Sequence, residues 1–383
     1  MRIQEGSQCA ETFLDPHLRE DNDLKISYKI TKMKKLQIAI IGASGYTGAE
    51  LIRILLNHKK VEIAALVANS NAGQKIEQLY PHLVHYDLPD LKKLEEVDFS
   101  KIDIAFGCLP HTTSQETFKK LIPQNPHLKI FDLSADFRLE DPANYQKWYE
   151  HEHIAKDLQP QAVYGLSEIH RNKIKKASLI ACPGCYPTSA LLPLIPLLEN
   201  NLIETHDIII DSKSGTSGAG RSFKQNNLFC EVNESVKAYS IGKHRHIGEI
   251  EQELGKAAKL SQGAKIEIDF TPHLLPISRG IISTIYVKIN PKFSLSDIQN
   301  CLETKYADEP FVRVINGEPN IKDVVGTNFC VMTAKQARTS GRAILVSVID
   351  NLCKGASGQA VQNMNIVFGF DEKEGLELTP LFP

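Results

Sequence analysis

Short apolar runs alternate with helical segments over the first half of the chain. Residues Leu36–Ile41 (LQIAII) are apolar and β-branched, and apolar residues then recur at helical spacing over residues 49–57. Residues Val61–Val67, 102–106 and 129–133 are further short apolar runs with helical or loop segments between them. This repeated strand and helix order predicts a parallel, doubly wound sheet of the α/β class.

The pattern changes after Cys185. Residues 207–211, 265–270, 281–289 and 343–349 are mostly strand-like, with few helices between them, and they predict a second domain with a mixed sheet. Residues 355–367 are a helix candidate that returns to the first domain. We therefore predict one domain of residues 34–185 and 351–383, a second of residues 186–350, and a flexible extension of residues 1–33.

Composition narrows the class of function. The 383 residues carry a formal net charge of −2, so no global field favours nucleic acid or an anionic membrane. The longest strongly apolar stretch, residues 190–198, is interrupted by two prolines and is shorter than the roughly 20 residues that span a bilayer. Eight scattered cysteines favour free thiols in a reducing cytoplasm. We expect a cytoplasmic protein with a small-molecule substrate.

A glycine-rich turn follows the first predicted strand. Gly42, Gly45 and Gly48 open the next helix, where backbone amides and the helix dipole favour a dinucleotide pyrophosphate. The G-x-x-G-x-x-G spacing differs from the commoner G-x-G-x-x-G, so a purely structural turn is the alternative. Asn69 and Ser70 follow the second strand where an NAD enzyme usually has a carboxylate, which favours NADP over NAD.

A cysteine lies between a predicted strand and a predicted helix. In ASLIACPGCYPT, Cys185 follows a Pro-Gly elbow, so its thiolate would lie near a positive helix end. A buried structural thiol is the alternative. Cys182 and Cys185 also form a C-x-x-C pair, but the sequence offers no second pair to complete a zinc site, and we predict no metal.

A proton acceptor for this thiol is available in GKHRHIGEI. His244, Arg245, His246 and Glu249 lie together there. If residues 243–246 are extended, the two histidines face one side and Arg245 the other, which allows two roles at one site. An exposed basic loop is the alternative.

Several motifs occur in a recognisable order: GASGYTGAEL, SADFRL, VYGLSE, PGCYPT, SGTSGAGR, HRH with Glu249, TPHLLPISRG and DNLCKGASGQAVQN. Together they resemble the N-acetyl-gamma-glutamyl-phosphate reductase family, in its longer, type 1 form, from about Lys34 to the C-terminus. The resemblance implies a Rossmann-type dinucleotide-binding domain and an α+β mixed-sheet catalytic and dimerisation domain, as in glyceraldehyde-3-phosphate dehydrogenase-like enzymes.

The resemblance also implies roles for individual residues. Cys185 would be the nucleophile and His244 the acid–base residue. The substrate-binding candidates are His246, Glu249, Arg279 and Arg221. The cofactor-binding candidates are Gly42, Ser44, Gly45, Tyr46, Thr47, Gly48, Ser70, Pro110, His111, Ser214, Gly215, Lys354 and Gly355.

The implied activity is NADPH-dependent reduction of an acyl phosphate through a cysteine thioester in arginine biosynthesis, by a homodimer or homotetramer. The chain departs from the family pattern at Cys182, commonly Asn, at Ile247-Gly248, usually Thr-Pro, and at Asn71, often Arg. The last departure weakens the case for NADP.

Three alternatives remain open. One is an aspartate-semialdehyde or glyceraldehyde-phosphate type of dehydrogenase. Another is a non-catalytic NADP-binding sensor. The third is reduction of the homologous aminoadipyl phosphate, because one methylene changes binding by only about 1–3 kcal/mol.

Overall fold

The computed structural model describes residues 34–260 and 264–382, and the predicted extension of residues 1–33 lies outside them. Within the described residues the chain forms two seven-stranded sheets. The first contains β1 (Leu36–Ile41), β2 (Val61–Val67), β3 (Leu91–Lys92), β4 (Ile104–Gly107), β5 (Lys129–Asp132), β6 (Ala162–Tyr164) and β7 (Leu179–Ala181). The second contains β8 (Ile208–Gly215), β9 (Lys237–Ala238), β10 (Ile268–Leu275), β11 (Ile281–Lys288), β12 (Val312–Val314), β13 (Cys330–Gln336) and β14 (Arg342–Ile349).

The first sheet is parallel throughout, in the order β3-β2-β1-β4-β5-β7-β6. The side chains of β1 are buried on both faces: Ile38 and Ile40 belong to one apolar cluster, and Ala39 and Ile41 to another. Parallel strands covered on both faces are near-continuous apolar runs. This explains the LQIAII segment, and the predicted doubly wound sheet is confirmed.

The second sheet is mixed, in the order β12-β13-β14-β11-β8-β10-β9. β10 runs parallel to β8, whereas β11 is antiparallel to both β8 and β14. Along β11, buried and half-buried residues alternate, as expected for a sheet with one face in the core. The predicted mixed-sheet part of the fold is confirmed.

The helices of the described residues cover both sheets. They are α1 (Tyr46–Leu55), α2 (Ile76–Leu79), α3 (Thr113–Gln124), α4 (Pro142–Tyr149), α5 (Ser167–Ile174), α6 (Cys185–Glu199), α7 (Phe229–Val232), α8 (His246–Ala257), α9 (Leu295–Tyr306) and α10 (Gly358–Phe368). α6 is apolar on all sides and packs against α8, α9 and β11, as a helix without a polar face must be buried. In the described part of the chain, no helix has the length and hydropathy to span a bilayer.

Three local expectations differ from the structure. Residues 243–246 are not extended: they form a turn that leads into α8 at His246. The predicted C-terminal helix divides into a π-helical turn, Cys353–Ser357, and α10. The second half also contains two helices of 12 residues each, α8 and α9, where the pattern predicts mostly strands and few helices. Residues 35–383 form one compact unit, and the predicted domain boundaries remain a prediction.

Candidate active site

Cys185 lies where the chain passes from β7 into α6. Gly184 precedes the helix with extended backbone, and Cys185 is its first residue. The thiol is free and half-buried. Burial raises the pKa of Cys185 to about 11, whereas a hydrogen bond from the Tyr186 backbone and the charge of Arg138 act to lower it. The thiol is therefore protonated at rest, and the free N–H groups at the helix start can stabilise the thiolate that forms during the reaction.

Two glycines allow other groups to approach this thiol. A methyl group on Gly184 would lie 2.7 Å from Nε2 of His246 and 2.9 Å from Nη1 of Arg138. A methyl group on Gly355 would lie 2.7 Å from Cβ of Cys185. Both distances are too short for a real side chain, so only glycine fits at either position. The π-helical turn and the His246 ring thus lie directly against the start of α6.

Glu249 holds this arrangement together from α8. Its buried carboxylate accepts hydrogen bonds from the Gly184 backbone N–H at 2.8 Å and the Tyr164 hydroxyl at 2.7 Å, and it forms an ion pair with Arg138 at 3.3 Å. Both carboxylate oxygens therefore have partners within the protein. These contacts favour a positioning role for Glu249 over the predicted contact with substrate.

Arg138 is a site residue that sequence reasoning missed. It is buried, its Nε donates to the carbonyl of Cys182 at 2.7 Å, and its Nη2 donates to the carbonyl of Leu133 at 2.9 Å. The guanidinium is thus fixed beside the elbow that carries Cys185. The SADFRL motif contains this arginine, but nothing in its spacing indicates which carboxylate or carbonyl it meets.

The structure brings His244 and His246 together, with ring centroids 4.7 Å apart. The His244 ring also makes edge contacts with Tyr186, Tyr239 and Phe270. Burial lowers the pKa of His244 to about 4, with a further contribution from Arg245, so the ring is neutral at pH 7. The backbone N–H of His246 donates to Nδ1 of His244 at 3.2 Å, which assigns the ring proton to Nε2. A neutral imidazole with this tautomer can donate a hydrogen bond from Nε2 to a ligand oxygen.

The glycine turn has the geometry that dinucleotide binding requires. Gly42 has φ +90, and a side chain there would collide with the carbonyl of Cys108. A methyl group on Gly48 would lie 2.7 Å from Cα of Ala43, so Gly48 lets α1 pack closely on the turn. The nearest atom to a methyl on Gly45 is 3.5 Å away, which leaves the start of α1 accessible. These three roles are those of a nucleotide-binding turn.

The other residues of this turn are tied to neighbouring segments through their backbones. The Ser44 carbonyl accepts from the Tyr80 hydroxyl at 2.9 Å, and the Thr47 carbonyl accepts from the Ser357 hydroxyl at 2.9 Å. Tyr46 is 37% exposed. The turn is therefore rigid, while its first helical residue faces outward.

The end of β2 carries no carboxylate. Residues Asn69–Asn71 form a short 3-10 turn, and Ser70 is exposed and accepts a hydrogen bond from the Asn71 amide at 3.2 Å. Two strands along the sheet, beyond β1, the chain leaves β4 through Pro110, which is exposed, and His111. Nδ1 of His111 accepts from the Ala135 backbone N–H at 3.0 Å. All these residues follow the carboxyl ends of parallel strands, where nucleotides bind in such sheets.

Arg279 and Arg221 contact the glycine turn and its helix rather than Cys185. Arg279 forms ion pairs with Glu50 of α1 and with the buried carboxylate of Asp350. Arg221 donates to the Ser44 carbonyl at 3.1 Å. Their predicted substrate contacts remain untested, but both arginines are joined to the glycine turn and its helix.

Ser214 and Gly215 end β8 near the same place. The Gly215 backbone N–H donates to the carbonyl of Gly280 at 2.9 Å, and a methyl on Gly215 would lie 2.8 Å from the Arg279 backbone nitrogen. Ser214 is buried. The close approach of two chain segments explains the glycine, and it leaves the predicted cofactor contact a prediction.

Comparison with known proteins agrees with this geometry. The model of the semialdehyde dehydrogenase NAD binding domain matches residues 37–177, and that of the semialdehyde dehydrogenase dimerisation domain matches residues 185–351. The chain is 51% identical to the N-acetyl-gamma-glutamyl-phosphate reductase of Rhodospirillum rubrum over 91% of this chain and 99% of that one. It is 50% identical to the probable chloroplastic N-acetyl-gamma-glutamyl-phosphate reductase of Oryza sativa subsp. japonica, over 91% of this chain and 83% of that one. The chain belongs to the N-acetyl-gamma-glutamyl-phosphate reductase family.

Solved structures of more distant proteins share the fold. Aspartate semialdehyde dehydrogenase II from Vibrio cholerae superposes with a TM-score of 0.65 at 16% identity, over 88% of this chain and 99% of that one. The Candida albicans aspartate semialdehyde dehydrogenase, solved with NADP, gives a TM-score of 0.62 at 17% identity, over 88% of this chain and 99% of that one. The motif-based resemblance to the N-acetyl-gamma-glutamyl-phosphate reductase family is confirmed by the sequence comparisons, and the fold by these structures.

One departure from the family pattern has a packing explanation. A side chain on Gly248 would collide with the indole of Trp148, which packs on the first turn of α8. Gly248 thus admits a bulky neighbour from α4 at a position where N-acetyl-gamma-glutamyl-phosphate reductases usually have proline. This contact helps to fix α8, which carries both His246 and Glu249.

Lys354, a predicted cofactor contact, has its side chain in the protein core. Its ammonium is fully buried, 2.6 Å from Oε1 of Glu168 and 2.8 Å from Oε1 of Gln362. The ammonium group is therefore satisfied within the protein. This favours a structural role for Lys354 and leaves Gly355 as the cofactor-binding candidate of the π-helical turn.

We expect Lys354→Met to lower the free energy of unfolding by about 3–5 kcal/mol, because it leaves the Glu168 charge buried and unpaired. Urea denaturation checks this value. The double variant Lys354→Met/Glu168→Leu removes both charges and should recover most of the loss. A raised KM for NADPH with unchanged stability would instead support the predicted cofactor role.

Proposed function

We propose that this protein catalyses NADPH-dependent reduction of N-acetyl-gamma-glutamyl phosphate to N-acetylglutamate 5-semialdehyde and phosphate, a step of arginine biosynthesis. The observation that carries the proposal is the free thiol of Cys185 at the start of α6, beside two neutral histidines. The elbow and the glycine turn both follow carboxyl ends of strands in one parallel sheet, so they lie at the same edge. Relatives about half identical in sequence bear the name of this reductase.

The chemistry assigned to the chain is acyl transfer followed by reduction. The sulfur of Cys185 attacks the acyl carbon, a C–S bond forms, the C–O bond to phosphate breaks, and the thiol proton leaves with the phosphate. When bound, NADPH supplies the hydride that reduces the thioester carbonyl. His244 donates a hydrogen bond from Nε2 to the negative oxygen of the resulting thiohemiacetal anion, and the aldehyde leaves as the C–S bond breaks and its electron pair returns to sulfur, which then takes a proton from solvent. Backbone N–H groups at the start of α6 stabilise the negative oxygen in both steps.

The residues present fit an NADP cofactor. The start of α1 is accessible at Gly45, and its N–H groups favour a pyrophosphate. The 3-10 turn at Asn69–Asn71 offers the exposed hydroxyl of Ser70 and no carboxylate that would repel a 2′-phosphate. We assign Ser70 to the 2′-phosphate and retain the preference for NADP over NAD as part of the proposal.

The proposed assembly is a homodimer or homotetramer in the cytoplasm. One face of the second sheet supports self-association, because alternate residues of β11 are half-buried and Ile209 on β8 is 37% exposed. The family model matching residues 185–351 is described as a dimerisation domain. All seven cysteines in the described residues are free thiols, which suits a reducing compartment.

The test is the reverse reaction, followed as NADPH formation. We expect turnover with N-acetylglutamate 5-semialdehyde, NADP and inorganic phosphate, and little with aspartate semialdehyde or with NAD. Omitting phosphate should stop the reaction, because the thioester then has no acceptor. Stoichiometric NADPH binding without turnover on either aldehyde would reject the proposed function in favour of a binding protein.

A further inference from the structure

A guanidinium and an imidazole contact the ring of one tyrosine at the edge of the site. Tyr149, the last residue of α4, is buried, and its ring stacks on Tyr145 with centroids 4.9 Å apart. The guanidinium carbon of Arg245 lies 5.6 Å from the Tyr149 ring centroid, and the His111 ring lies 5.5 Å from it. Tyr149 thus holds an arginine from the turn before α8 and a histidine from the loop after β4 on a single ring.

Arg245 is available to a ligand. It is exposed, and within the described residues its recorded contact is the Tyr149 ring, with no carboxylate paired to its guanidinium. The next residue, His246, is only 9% exposed, and its Nδ1 is buried without a hydrogen-bond partner in the described part of the chain. A buried polar atom without a partner is costly, and a ligand that meets it removes the cost.

His111 is a neutral neighbour of the guanidinium. Burial, together with the charges of Arg245 and Arg138, lowers the pKa of His111 to about 3. The nearby carboxylate of Glu249 is occupied by Gly184, Tyr164 and Arg138. An anion entering this place would therefore meet a guanidinium that has no carboxylate partner among the described residues.

We propose that Arg245 and His246 form the subsite for an oxyanion of the substrate, with Tyr149 holding the guanidinium in place. The inference rests on the proposed function, whose reactants offer two such groups, a carboxylate and a phosphoryl group. Planar guanidinium groups bind either one through two parallel hydrogen bonds. The subsite lies against Gly184, one residue before the thiol, so an anion held there would fix the reacting carbon near Cys185.

The test separates the two oxyanions by steady-state kinetics of the reverse reaction. Arg245→Gln should raise one KM by about 10- to 100-fold, the loss expected for a hydrogen bond to a charged group. A rise for the semialdehyde assigns the carboxylate, and a rise for inorganic phosphate assigns the phosphoryl group. Arg245→Lys keeps the charge without the planar fork and should give an intermediate KM. The KM for NADP should not change.

Lys243→Gln is the matched control, since it removes an exposed charge two residues away and should leave both KM values unchanged. Calorimetric titration with inorganic phosphate and with N-acetylglutamate gives a readout that does not need turnover. If wild type binds neither probe more tightly than Arg245→Gln, and neither KM rises, the subsite is rejected. If the protein shows no turnover but binds one of the two probes in a way that depends on Arg245, the proposed function is rejected and the subsite is retained.

Discussion

Replacing Cys185 with serine will abolish reductase turnover, by roughly three orders of magnitude or more, while the affinity for NADPH stays unchanged. A serine hydroxyl is a far weaker nucleophile than a thiolate, and the start of α6 can stabilise a thiolate but cannot ionise an alcohol at neutral pH. The substitution removes little volume from a half-buried position. The expected result is therefore loss of chemistry without loss of structure. Turnover in the reverse assay and fluorescence titration with NADPH measure the two quantities.

Cys230→Ser is the matched control for this prediction. Cys230 lies in α7 with an exposed thiol, so the same atomic change there should leave turnover as in wild type. Single-turnover acyl transfer gives a second check, because Cys185→Ser should release no phosphate from the acyl phosphate. Full activity in Cys185→Ser would remove the thioester mechanism and would move the catalytic centre elsewhere in the fold.

The pattern of apolar runs was sufficient to predict the fold class. β1 and β2 match their predicted runs because each contains one polar residue in an otherwise apolar segment, as expected for strands of a parallel sheet covered on both faces. β10 was harder to predict: the run at residues 265–270 suggested an earlier strand, whereas the structure places it at Ile268–Leu275. Pro272 hides the second half of this strand from any propensity argument, and pairing with β8 along its full length overrides that signal.

The site was predictable only where motif and local structure coincide. Cys185 and the glycine turn lie at strand-to-helix junctions, and such junctions are visible in sequence. The ion pair between Arg138 and Glu249 joins residues 111 positions apart, and that between Lys354 and Glu168 joins residues 186 apart. No local period reports such contacts, so the buried charges behind the thiol required the structure.

The histidine pair shows the same limit in another form. An extended segment was predicted to put His244 and His246 on one side, and their rings do meet, but through a turn and the first residue of α8. This geometry explains the hydrogen bond from the His246 backbone to Nδ1 of His244. A strand would have left that nitrogen free. The tautomer of His244, and with it the role of Nε2 as hydrogen-bond donor, therefore depends on a turn. The alternation of residues along a strand does not predict this turn.

His244→Asn should lower kcat by about 10²- to 10³-fold in both directions, because the shorter amide removes the Nε2–H hydrogen bond to the negative oxygen of the thiohemiacetal anion. Protonation of Nδ1 would break the hydrogen bond from the His246 backbone N–H and release the ring from its position. Since burial lowers the pKa of His244 to about 4, the imidazole remains neutral as the pH falls from 7 to 5 and becomes protonated only near pH 4. The titration of His244 should therefore leave wild-type kcat/KM constant between pH 7 and 5 and should lower it only near pH 4.

The decline belongs to His244 only if it disappears with the residue. We expect the His244→Asn profile to lack the low-pH limb while keeping its reduced level, with circular dichroism at each pH confirming that the protein remains folded. His206→Asn is the control, because His206 is exposed on the turn before β8 and pairs with Glu204. An unchanged low-pH decline in His244→Asn would assign the titration to another group, and an unchanged kcat would transfer the role of hydrogen-bond donor to His246, the other ring of the pair.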